Sequence, residues 1–98
     1  NKGMLFIFGQ ERGLSFWMQN TLIPLDMVFI DNKGQLVSIQ RQAEPRTRTP
    51  RPSDGPARFV LEIDGGEAEA LGIDADTTFE FGAATLQYLA ASRLPYGG

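Results

Sequence analysis

Pro24 interrupts the most apolar stretch of the chain, Phe16-Trp17-Met18-Gln19-Asn20-Thr21-Leu22-Ile23-Pro24-Leu25-Asp26-Met27-Val28-Phe29-Ile30-Asp31. Proline has no N–H to give to a sheet ladder, and it biases the preceding Ile23 toward an extended backbone. The stretch therefore reads as two ordered pieces joined by a bent crossover, Asn20 to Pro24. After the proline, Asp26 to Ile30 is apolar at nearly every position, the pattern of a central strand covered on both faces. Before it, Ser15 to Gln19 reads as a strand with Phe16 and Met18 on one face and Trp17 and Gln19 on the other.

The flanking segments supply more strands. Met4 to Phe8 is a short apolar run closed by Gly9, favouring a buried strand. Asp31-Asn32-Lys33-Gly34 is a hairpin-type turn with residues suited to positive φ, and it leads into a strand from Gln35 to Gln40. Arg58 to Ile63 alternates with Phe59, Leu61 and Ile63 inward, as in a half-buried strand. Asp64-Gly65-Gly66-Glu67 reads as a capping box opening a short helix, with Asp64 as the N-cap. Gly72 ends that helix, and Ile73 is placed for the hydrophobic contact of a Schellman motif. Thr77 to Phe81 is expected to be the last strand and Ala83 to Ser92 a C-terminal helix.

Arg41 to Ala57 differs from the rest. It carries Pro45, Pro50, Pro52 and Pro56, and sets Arg41, Arg46, Arg48 and Arg51 against Glu44 and Asp54, a net +2 within a chain of net −3. This composition predicts an extended, exposed loop without regular structure, serving as a basic lid or as a solvated excursion. The whole chain, at 98 residues, is then one mainly β domain: a compact antiparallel sandwich or partly closed barrel with one short helix and a C-terminal helix.

Composition removes several classes of function. The negative net charge argues against a nucleic-acid partner, which would need a basic face. No apolar run approaches the roughly 20 residues of a membrane-spanning helix. The chain has neither Cys nor His, so thiolate chemistry and a Ser-His-Asp triad are outside its reach. Asp31 to Gly34 imitates the start of a calcium loop, but Lys33 stands in its middle and the closing Glu is missing, so neither a metal site nor a cofactor is expected. The start, Asn1-Lys2-Gly3-Met4, has no initiator Met and no charged-then-apolar leader, as in a processed or truncated product.

Three runs together, Gly3-Met4-Leu5-Phe6-x-Phe8, Phe16 through Asp26, and Phe59-Val60-Leu61-Glu62, resemble the DUF192 family, also called UPF0127. The likeness extends over roughly residues 3 to 81. It implies a compact β-sandwich or barrel-like domain of unknown function, and, since many members carry export signals, a periplasmic or secreted setting. Two departures stand out. Ala75-Asp76 takes the place of the family's Gly-Asp pair. The strand and the Gly-Leu-Met-x-Arg segment that precede the position of Gly3 in the family are absent. An open sheet edge is expected as a result, filled by a second copy of the chain or, less readily, covered by the C-terminal helix.

The candidate site follows from the central stretch. Trp17 alone reads as a core residue, but Asn20, Thr21 and Asp26 beside it form a polar set that neither a helix nor a hairpin requires. Those groups serve equally to bond backbone in a bent crossover or to line a ligand site. The expected cleft comprises Met4, Trp17, Met18, Asn20, Thr21, Pro24 and Asp26, near Glu62, and would take a small molecule, a glycan or a peptide. The alternative is a cell-envelope hydrolase with Asp26 and Glu62 as its carboxylate pair, which requires the two to converge on one pocket.

Overall fold

The computed structural model describes residues 3–81. Its elements are β1 (Met4–Arg12), β2 (Ser15–Phe16), β3 (Leu25–Ile30), β4 (Leu36–Ala43), β5 (Arg51–Pro52), β6 (Ala57–Asp64) and α1 (Glu67–Ala70). Four strands form one antiparallel sheet in the order β1-β6-β3-β4, and β2 pairs with β5 in a small ribbon. The domain is mainly β and antiparallel, as expected. The large sheet has β1 and β4 as its edges, so it is not a closed barrel.

Because side chains alternate across a strand, this sheet builds two apolar layers. On one face Phe6, Met27, Phe29 and Val60 pack with Leu14, Phe16, Met18, Ala43 and Ala57. Phe16 is the hub of that layer, its ring lying 5.7 Å from Phe6, 6.2 Å from Phe8 and 6.1 Å from Phe29. On the other face Ile7, Val28, Ile30, Phe59 and Ile63 pack with Ala68 and Ile73. β3 is central and buried on both sides, as its run of apolar residues predicts. β6 is also covered on both sides, not half-buried: Val60 and Glu62 are as enclosed as Phe59 and Ile63. Its place between β1 and β3 accounts for this, and Glu62 in the apolar pattern disguised it.

The proline-rich segment is more ordered than its composition suggests. Arg41–Ala43 prolongs β4, Arg51–Pro52 forms β5, and Ala57 opens β6. Pro52 is tolerated because a two-stranded ribbon leaves one side of each strand without a ladder to satisfy. Conversely, the strand expected over Ser15 to Gln19 closes after Phe16, where its ladder with Arg51–Pro52 ends. The strand expected over Thr77 to Phe81 is reduced to one bridge between Gln35 and Thr78. The hairpin turn forms as predicted, with Asp31 Oδ1 accepting from the amides of Lys33 (2.8 Å) and Gln35 (2.9 Å). Gly34 is required there, having φ 85° and lying where a Cβ would meet the Phe79 carbonyl oxygen at 2.3 Å.

α1 ends as its sequence predicts. The amide of Gly72 donates to the Glu69 carbonyl (3.0 Å) and that of Ile73 to the Ala68 carbonyl (2.9 Å), which is the Schellman pattern. Its start does not match the expectation. The N-cap is Gly66 in the left-handed region, φ 94°, and Asp64 makes no capping bond. The capping carboxylate comes from Asp26 on β3 instead. The helix expected over residues 83–92 lies outside the described residues.

Candidate functional site

Antiparallel register decides which of the expected site residues meet. Met4 pairs with Glu62, and Glu62 pairs with Met27, so these three form a row across β1, β6 and β3 on the face that carries Phe29. Asp26 pairs with Ile63, one step along, and its side chain leaves the opposite face.

The crossover closes over the end of the Met4–Glu62 row. Met18 fixes it: its amide donates to the Thr47 carbonyl (3.0 Å), and its own carbonyl accepts from Arg46 (2.7 Å) and Thr21 (3.1 Å). Beyond this pin the chain turns through Asn20 to Ile23 and returns to the sheet at Leu25. Between crossover and sheet lies an open groove of about 470 Å³, lined by Gly3, Met4, Asn20, Thr21, Leu22, Ile23, Leu25, Glu62 and Ile63. Met4, Leu22 and Ile23 are exposed by 52, 73 and 50%, an apolar rim on a small domain. Thr21 and Glu62 are the buried polar residues of the lining. The Thr21 hydroxyl is enclosed without a hydrogen-bond partner among the described residues.

Of the eight residues expected at the site, the groove gathers Met4, Asn20, Thr21 and Glu62. Met18 is a core residue, completely buried beside Phe16 and Met27. Pro24 is a packing residue: its carbonyl accepts from the Gly65 amide (3.0 Å), and a Cβ on Gly65 would press against the proline ring at 3.1 Å. Trp17, 40% exposed, lines a separate cavity of about 330 Å³ with Ser15, Phe16, Arg48 and Pro50.

Asp26 is enclosed and structural. One carboxylate oxygen accepts from the Gln42 amide (2.8 Å), and the other from Gly66 (3.1 Å) and Ala68 (2.9 Å). Gln42 has φ 47° at an irregularity in the β3–β4 register, so one side chain ties that kink to the start of α1. The carboxylate pair needed for hydrolysis is not assembled, since Asp26 and Glu62 leave opposite faces of the sheet.

Sequence reasoning missed Leu22, Ile23 and Leu25 as groove residues. Their signal was available: Leu22 and Ile23 precede Pro24 in a segment that cannot be a strand, Leu25 follows at the start of β3, and a short crossover cannot bury so many large apolar side chains. Arg48 and Pro50 carried no such signal, because the ribbon that brings them to Trp17 is a long-range pairing.

The fold and groove together define a compact antiparallel β domain with an apolar crossover site. Its family follows from comparison: the chain belongs to DUF192, described as "Uncharacterized ACR", whose profile matches residues 1–81. Two crystal structures are similar to it. One is of a protein of unknown function from Novosphingobium aromaticivorans DSM 12444, at 40% identity and a TM-score of 0.78, covering 82% of this chain and 57% of that one. The other is of a "putative transcription regulator" from Sinorhizobium meliloti 1021, at 38% identity and a TM-score of 0.76, covering 80% of this chain and 60% of that one. The chain thus spans less than two thirds of either protein. None of the curated proteins compared with the chain matches it. Among the described residues, no helix is long and apolar enough to cross a membrane.

Proposed function

We propose that the domain is a non-enzymatic binding module whose groove receives the apolar part of a ligand, and that it works in the periplasm or outside the cell. The observation that carries this reading is the exposed rim of Met4, Leu22 and Ile23 around a groove with Asn20, Thr21 and Glu62 in its lining. An apolar concavity with a few placed polar groups is the usual form of a small-molecule or peptide-side-chain site. Water gains most when such a surface is covered. The separation of Asp26 from Glu62 across the sheet supports capture over hydrolysis. The exported setting rests on the family resemblance.

The test is a fluorescence titration with the neutral apolar probe N-phenyl-1-naphthylamine, comparing the protein with Ile23→Asp. Ile23 is half exposed, so the change places a charge on the rim without entering the core. Saturable enhancement for the parent, weakened roughly tenfold or more in the variant, is expected, since a charge in an apolar contact loses over 1.4 kcal/mol. Equal enhancement by both proteins, or none by either, overturns the reading.

A further inference from the structure

We propose that the cavity beside Trp17 is a second site, separate from the groove, and that it takes a small aromatic carboxylate. The cavity is built into the way the proline-rich segment is pinned. At one end Phe16 pairs with Arg51, and at the other the Met18 amide bonds the Thr47 carbonyl. Between these anchors one side contributes a single residue, Trp17, and the other contributes three, Arg48, Thr49 and Pro50. The longer side must bow outward, and the space so opened has a volume of about 330 Å³. That is near the lower end of small-molecule pockets and suits a ligand of one ring.

The lining selects the chemistry. Trp17 and Pro50 offer flat apolar surface, and Phe16 continues into the core layer. Trp17 leaves 40% of its surface uncovered although it is the largest side chain in the protein. An exposed indole is a stacking surface for a second ring. Among the described residues, Arg48 is the one charged residue of the lining, and no carboxylate lines the cavity. It lies in a segment of net +2 within a chain of net −3, so the local field there favours an anion. A guanidinium matches the two oxygens of a carboxylate through paired N–H donors. A ring to stack on Trp17 and a carboxylate to meet Arg48 together describe the ligand.

Trp17 is the only tryptophan of the chain, so its indole N–H gives a single reporter within the cavity. The experiment follows that ¹H–¹⁵N cross-peak while phenylacetate is added, with phenylacetamide as the uncharged counterpart and Arg48→Gln as the variant. A saturable shift with phenylacetate is expected. Phenylacetamide with the parent protein, and phenylacetate with Arg48→Gln, should each bind roughly tenfold more weakly or less well still, the loss of one charge-assisted pair. Arg48 is exposed, so the variant should keep its backbone spectrum. Should it unfold, the phenylacetamide comparison on the parent protein still decides the matter. No saturable shift with phenylacetate, or equal affinity for acid and amide, overturns the proposal.

Discussion

Replacing Asp26 by Asn changes no side-chain volume to speak of, yet it should be among the most damaging single substitutions in this domain. The carboxylate is 1% exposed and accepts three backbone N–H groups, two on one oxygen and one on the other. An asparagine has a single acceptor oxygen. Its better orientation keeps the Gly66 and Ala68 amides and turns its NH₂ toward the Gln42 amide, donor against donor. A buried donor left unsatisfied costs about 1–3 kcal/mol, and two bonds that lose charge assistance give up about 1 kcal/mol each. The total is roughly 3–5 kcal/mol, a large part of the 5–15 kcal/mol that holds a typical domain folded. Urea denaturation followed by far-UV circular dichroism would measure it. With a slope of about 1–2 kcal/mol/M for a small protein, the midpoint should fall by at least about 1.5 M. A loss below about 1 kcal/mol would refute the reasoning, because the three bonds would then be replaceable by water.

Two further outcomes follow from the packing. Phe29→Ala empties a completely buried position beside Phe16 and should cost about 3–5 kcal/mol in the same denaturation assay. Thr21→Val removes an enclosed hydroxyl that has no hydrogen-bond partner among the described residues, so thermal melting should show the variant as stable as the parent or more stable, by up to about 1 kcal/mol; a clear fall in Tm would mean the hydroxyl is satisfied in solution.

Much of this architecture was legible because some residues leave a segment few options. Asp26 to Ile30 has no polar face, so it had to be a central strand. Gly72 followed by Ile73 had one good use, and the helix end takes it. What could not be read depends on long-range pairing. The start of α1 is a case in point: Asp64-Gly65-Gly66-Glu67 satisfies the local rule for a capping box, but a carboxylate from β3 reaches the same amides. With Asp26 already buried beside them, the local cap is displaced. β5 was hidden for the same reason, since prolines in sequence signal a loop and only the apposition of Ser15 and Phe16 makes Arg51 and Pro52 a ribbon. The candidate site was legible only in part. Of the residues expected together, Met4, Asn20, Thr21 and Glu62 line one groove, whereas Trp17 and Asp26 lie elsewhere through geometry that no local pattern encodes.

That separation bears on why the polar residues of the central stretch are there at all. Enclosing a polar group costs free energy unless the fold returns hydrogen bonds for it. Asp26 receives three amides and holds two elements in place, so stability alone explains it. Thr21 is a different case: its hydroxyl is enclosed beside the groove, no described residue gives it a hydrogen bond, and a valine would fill the same space. A polar residue that the core does not require, at the wall of an exposed apolar groove, is what the proposed binding role would call for. The antiparallel register makes this division possible. One step along β3 sends Asp26 to the α1 face and Met27 to the face of Glu62, so the carboxylate that caps the helix and the carboxylate that lines the groove fall on opposite sides of one sheet.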